Sequence, residues 1–284
     1  MTATVSFTID SPLGPRTATV AYERKGSGEP LLLLHGIGHH FQAWHPVTDI
    51  LAATHDVIAV DLPGFGASDP LPEGVPYDLG TVAPALGALC TALGVERPHV
   101  AGNSLGGLLA LEMGRSGLVR SVTALSPAGF WTEGERRYAF ATLLAMRAGA
   151  KALPRPALER LTRSSAGRAA LTGTIYARPA RRSPQSVVAE TLALRDATGF
   201  EATLAAGGSV RFTDDVPGLP VTIAWGTRDR ILLRRQGVRA KQTLPGARLV
   251  RLPGCGHVPM SDDPALVSRV ILDTTGGAAM RSAA

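Results

Sequence analysis

Val100-Ala101-Gly102-Asn103-Ser104-Leu105-Gly106, with Leu108-Leu109-Ala110-Leu111 close behind, decides how this chain of 284 residues is read. The apolar start predicts a buried strand, and the leucines after the glycines predict a helix. Glycines two positions before and two after Ser104 permit a tight strand-to-helix turn. Such a turn strains the serine backbone and lifts its hydroxyl off the sheet, where a base can reach it. The free N–H groups of the following helix point at the same place. A glycine-rich turn carrying an ordinary surface serine is the plain alternative. The rest of the pattern weighs against it.

Outward from this turn, short unbroken apolar runs recur at 31–34, 57–60, 99–101, 122–125, 221–225 and 249–252. Runs of this length and composition predict strands buried on both faces. Helical patterns lie between them, over 82–93, 105–113 and 265–272. Pro84 is expected in the first turn of its helix. Ser261-Asp262-Asp263-Pro264 reads as a cap, with proline at the first helical position of 265–272. Alternating residues at 5–9 and 17–22, separated by Ser11-Pro12-Leu13-Gly14-Pro15, predict an N-terminal hairpin. Strands alternating with helices predict a mostly parallel sheet with helices on both faces.

The stretch 131–211 breaks the alternation. It is rich in Ala, Arg and Leu and has no strand-like run, so a helical insertion is expected there. The expected division is a core over 1–130 and 212–273, the insertion over 131–211, and a loose tail over 274–284. The insertion holds thirteen Lys/Arg against six Asp/Glu, so it carries the whole +6 excess of the chain. A solvated helical face accounts for most such charge runs. An acidic or carrier-bound substrate is the sharper alternative. No nucleic-acid motif or aromatic-interleaved basic run accompanies the charge, so nucleic acid is not expected. The 45% apolar content excludes global disorder. No run of 18 apolar residues predicts a membrane span. Two cysteines and no visible secretory signal lead to the expectation of a reducing, cytoplasmic location. Nothing specifies an oligomeric state.

A serine hydroxyl needs a base to become a nucleophile. Among seven histidines, His257 stands out, because Leu252-Pro253-Gly254-Cys255-Gly256-His257 places it in a loop after the last strand. That is the end of the sheet at which open α/β proteins hold their sites. Asp229, in Gly226-Thr227-Arg228-Asp229, follows another strand by the same logic. Its carboxylate can fix the imidazole tautomer. Asp262 and Asp263 read as helix caps. Backbone N–H groups of Ile37 and Leu105 can face a developing oxyanion. His35 reads as a loop-fixing residue. His39 and His40 lack the carboxylate or cysteine spacing of a metal site. No metal, nucleotide or flavin cofactor is implied.

Taken in order, the serine, the acid and the histidine resemble the α/β-hydrolase superfamily, in its serine-nucleophile branch with a helical lid. His35-Gly36-Ile37-Gly38, Asp61-Leu62-Pro63-Gly64-Phe65-Gly66-Ala67-Ser68, Gly102-Asn103-Ser104-Leu105-Gly106-Gly107 and the two segments ending at Asp229 and His257 carry the resemblance. It covers nearly all of the chain outside 131–211 and the tail. It implies that Ser104 attacks, His257 shuttles the proton, Asp229 holds His257, and Ile37 and Leu105 form the oxyanion hole. It also places a lid over 131–211.

Serine at position 104 argues against the aspartate-nucleophile dehalogenases and epoxide hydrolases of this fold. Asn103-Ser104 is similar to carbon–carbon hydrolases of ring-fission products. Those carry tryptophan after the histidine, where Val258 stands here. Haloperoxidase- or perhydrolase-like chemistry and a non-catalytic binding protein of the same fold are the other readings. A small-molecule carboxylic ester is the expected substrate. Trp44, Phe130, Trp131, Tyr138, Phe140, Tyr176 and Phe200 are candidates to line an apolar pocket, against ordinary core packing.

Overall fold

The computed structural model describes residues 2–11 and 14–282, and side chains up to residue 277. Among these residues, eight strands form one sheet: β1 (Ala3–Ile9), β2 (Arg16–Lys25), β3 (Glu29–Leu34), β4 (His55–Val60), β5 (His99–Asn103), β6 (Ser121–Leu125), β7 (Val221–Gly226) and β8 (Arg248–Leu252). The spatial order is β1-β2-β4-β3-β5-β6-β7-β8. β1 pairs antiparallel with β2, and β2 antiparallel with β4. Every other pairing is parallel. Pro12 and Leu13 of the predicted hairpin turn lie outside the described residues.

Among the described residues, ten α-helices accompany the sheet: α1 (His45–Ala52), α2 (Leu79–Ala92), α3 (Leu105–Arg115), α4 (Glu133–Ala152), α5 (Arg155–Thr162), α6 (Ser165–Thr172), α7 (Pro184–Asp196), α8 (Phe200–Ala206), α9 (Arg235–Thr243) and α10 (Pro264–Ser282). β3 shows why a continuous apolar run belongs in the middle of such a sheet. Leu32 and Leu34 face one core with residues of α2 and α3, and Leu31 and Leu33 face the other with residues of α1 and α10. All four are fully buried. Each such burial is worth roughly 1.5–3 kcal/mol, so both helix layers are held by the same strand.

Helices α4 to α8 all fall between β6 and β7. α4 opens on a reciprocal cap. The Thr132 hydroxyl accepts from the Glu135 N–H at 3.4 Å, and the Glu135 carboxylate accepts from the Thr132 N–H at 2.8 Å. Glu135 also takes the guanidinium groups of Arg235 and Arg239, which ties the inserted helices to α9.

Three expectations need correction. α2 starts at Leu79, capped by Asp78, so Pro84 is in its second turn and not its first. Asp263 caps α10 through the Leu266 N–H at 3.0 Å, but Asp262 does not cap it. The chain from Thr274 continues as α10, and Thr274 is buried with its hydroxyl 2.8 Å from that of Thr222. The predicted loose tail is therefore helical up to Ser282. Residues 283 and 284 lie outside the described residues.

Candidate active site

Ser104 sits where β5 becomes α3. Its φ of 56° is in the left-handed region, which costs a residue with a side chain about 1–3 kcal/mol. The strain is held by three bonds. Ser104 N–H donates to Leu125 O at 3.0 Å, and its carbonyl accepts from Leu108 and Ala128 N–H at 3.0 and 3.1 Å. Both glycines of the turn are forced by close approach. A Cβ on Gly102 would lie 2.0 Å from Gly106 O, and one on Gly106 would lie 2.2 Å from Leu34 O.

The loop after β3 passes directly beside the serine. A Cβ on Gly36 would lie 3.1 Å from Ser104 Cβ. His35 fixes this loop, because its Nδ1 donates to Gly36 O at 2.7 Å and its Nε2 accepts from Leu62 N–H at 3.0 Å. Complete burial lowers the His35 pKa to about 3, so the ring is neutral. Asp61 braces the far side of the loop, accepting from Phe41 and Ala67 N–H at 2.6 and 2.7 Å. Burial raises its pKa to about 6.

His257 and Asp229 extend from the ends of β8 and β7. The His257 Nδ1–H donates to Asp229 Oδ2 at 2.8 Å. Asp229 Oδ1 accepts from Ile231 and Leu232 N–H, both at 2.9 Å, so the carboxylate cannot rotate away without losing two bonds. This tautomer leaves His257 Nε2 as the basic nitrogen. Among the described residues, no hydrogen bond joins that nitrogen to the Ser104 hydroxyl. Both side chains border one cavity of about 580 Å³.

Two side chains that the sequence reading passed over hold the histidine loop. Asn103 Nδ2 donates to His257 O at 2.9 Å, joining the serine turn to the histidine. Asp262 accepts from Gly256 N–H at 2.8 Å, Ala177 N–H at 3.0 Å and Arg178 N–H at 2.9 Å. It therefore clamps the loop to the inserted segment, where Ile175 O also accepts from His257 N–H at 2.8 Å. In sequence Asp262 is hidden by its neighbour Asp263, which does cap.

The cavity walls come chiefly from α4, α6 and α7, with aliphatic and small residues such as Leu143, Met146, Ala150, Leu171 and Leu194. Among the described residues, neither lysine nor arginine lines it, and Glu190 is its one carboxylate. The Glu190 carboxylate is ion-paired to Arg182, and its Oε2 is buried without a hydrogen-bond partner. A second, smaller cavity of about 60 Å³ also touches Ser104 and Ile37, together with Leu105, Trp131 and Phe140.

Of the aromatic candidates, only Trp131 and Phe140 reach a cavity bordering Ser104. Trp44 is buried in the core on the α1 side of the sheet. Phe130 packs on Phe212 at 5.7 Å, and Phe200 is in the core on the other side. Tyr138 is half exposed, donating to Arg230 O at 2.7 Å. Tyr176 is buried under the Arg182 guanidinium, with its hydroxyl 3.3 Å from His39 Nε2. Large aromatic rings fill the junctions between elements, and the helix faces turned to the cavity carry smaller groups. The positive excess does not reach the cavity either. Arg136, Arg137, Arg147, Lys151, Arg155, Arg182, Arg195 and Arg211 all pair with carboxylates.

The sequence profile of the Alpha/beta hydrolase family matches residues 31–270. An uncharacterized protein of Mycobacterium tuberculosis is 31% identical over 274 residues, covering 90% of this chain and 78% of its own length. A 2-hydroxy-6-oxononadienedioate/2-hydroxy-6-oxononatrienedioate hydrolase of Dechloromonas aromatica is 28% identical over 268 residues, covering 89% of each. The solved structure of a thermophilic esterase from Thermogutta terrifontis superposes with a TM-score of 0.76 at 20% identity, covering 97% of this chain and 99% of that one. Among the described residues, no helix is long and apolar enough to cross a membrane.

Proposed function

The chain belongs to the alpha/beta hydrolase family, and from that premise we propose that it is a serine hydrolase cleaving a carboxylic ester through an acyl-enzyme on Ser104. The observation that carries this reading is the Asp229–His257 pair, 2.8 Å apart, whose imidazole is on the wall of the cavity that Ser104 borders. His257 Nε2 takes the Ser104 proton as Oγ bonds to the ester carbonyl carbon. The backbone N–H groups of Ile37 and Leu105 receive the oxyanion. His257 then passes its proton to the alcohol oxygen as the C–O bond breaks. Water, deprotonated by the same ring, releases the acid and restores Ser104. The helices over 131–211 act as the lid of this site.

Carbon–carbon hydrolysis is the second reading, favoured by the Dechloromonas aromatica relative. The substrates named for that relative are dioates, and two carboxylates need cationic partners when buried. Among the described residues, the cavity here offers no Lys or Arg, which supports an uncharged ester over a dioate or another acidic substrate.

A panel of p-nitrophenyl esters, run beside a ring-fission diketone, tests the assignment. Turnover of the esters is expected, with a loss of about 10⁴-fold or more in kcat for Ser104→Ala and about 10⁴-fold for Asp229→Asn. Turnover of the diketone alone would overturn the ester reading.

A further inference from the structure

We infer that the site sorts the two arms of its ester by size, seating a short acyl group in the small cavity and a long aliphatic alcohol in the large one. The inference rests on the serine-hydrolase reading above. The two cavities share Ser104, Ile37, Leu143 and Ile231 as neighbours but differ in the rest. The cavity of about 580 Å³ borders His257. The cavity of about 60 Å³ borders Leu105 and does not border His257.

That difference fixes which arm goes where. Attack forms the Ser104 Oγ–carbon bond and moves the serine proton to His257 Nε2. Collapse breaks the bond from carbon to the alcohol oxygen, and the same proton must leave on that oxygen. The alcohol arm therefore lies on the histidine side, in the large cavity. The acyl arm takes the remaining direction, past Leu105 towards Trp131 and Phe140. Water then adds to the acyl-enzyme, and the short acid leaves.

Volume sets the lengths. An apolar cavity of about 150 Å³ holds benzene, or about 25 Å³ per carbon. On that scale the small cavity takes about two carbons beyond the carbonyl, and the large one takes a chain of well over ten. The small cavity is not free to expand. The Trp131 indole donates to Val210 O at 3.1 Å and stands edge-on to Phe140 at 5.8 Å. The Arg136 guanidinium lies over the Phe140 ring at 5.3 Å.

Hexyl acetate and methyl heptanoate are isomers with the arms exchanged, so they separate sorting from overall size and hydrophobicity. The kcat/KM for hexyl acetate should exceed that for methyl heptanoate at least tenfold. Phe140→Ala or, should that variant fail to fold, Leu204→Ala at another wall of the small cavity should move the ratio at least tenfold towards methyl heptanoate. Equal rates, the opposite preference, or hydrolysis of neither ester by a protein that a fluorophosphonate still labels at Ser104 would overturn the sorting and leave the nucleophile standing. Absence of both labelling and hydrolysis would remove the nucleophile, and the sorting with it.

Discussion

Asp262 gathers three backbone N–H groups from two segments that are far apart in sequence. A charged acceptor contributes roughly 1.5–3 kcal/mol per hydrogen bond, and one carboxylate here serves both the histidine loop and the inserted chain. Asp262→Asn keeps only one acceptor oxygen, so its N–H₂ group faces either the Arg178 N–H or the Gly256 and Ala177 N–H groups and weakens the clamp. The expected result is a fall of about tenfold or more in kcat with KM changed far less, because the cavity walls stay in place. Equal effects on the two constants would make Asp262 a purely structural residue. The placement of positions 104, 229 and 257 just past strand ends was legible, because each follows a recognisable strand. Asp262 was not, because its partners at Gly256, Ala177 and Arg178 are defined only once the insertion is packed. Five of the seven aromatic candidates turn away from the cavities beside Ser104 for a related reason: a sequence gives ring size but not the face towards which a ring turns.

At the scale of elements, the turn between β5 and α3 is the least forgiving part of the molecule. Gly106→Ala would push a Cβ to 2.2 Å from Leu34 O, against backbone that cannot yield. A loss of more than about 4 kcal/mol is expected in urea unfolding, in the range reserved for severe steric conflicts. Gly134, in the first turn of α4, has open space around its Cβ position. Gly134→Ala should instead stabilise by about 0.4–1 kcal/mol, by restricting the unfolded chain. A similar loss at both positions would contradict the packing described for the turn. The buried strands were readable because both faces of each must be apolar. The start of α2 was less so, since Pro84 suggested a helix beginning near it, and Asp78 prevails as the cap. The helical character of 131–211 was also plain, but the pairing of its arginines with carboxylates depends on which helices pack together.

For the whole molecule, the buried histidines make stability depend on pH. Burial lowers His35 to about 3 and His40 to about 4, and holds His39 well below its ordinary 6.5. These rings protonate far more readily in the unfolded chain. Their contribution is present above pH 6.5 and is lost as pH falls towards 4, at about 1.4 kcal/mol per pH unit for each ring. Asp61 works in the opposite sense. Its folded value of about 6 lies above the ordinary 3.8, so its contribution is lost as pH rises through that window. Three rings outweigh one carboxyl. Urea midpoints should fall steadily from pH 6.5 to pH 4.5, and a flat or rising series would show that these rings are not buried as described.

The side chains that meet at the C-terminal edge of the sheet stand or fall on the reactivity of one hydroxyl. Treatment with a fluorophosphonate, followed by peptide mass mapping, measures it directly. The account predicts one adduct on the peptide containing Ser104, its absence in Ser104→Ala, and strongly slowed formation in His257→Ala. A folded protein that stays unlabelled, or an adduct on any other residue, would contradict it.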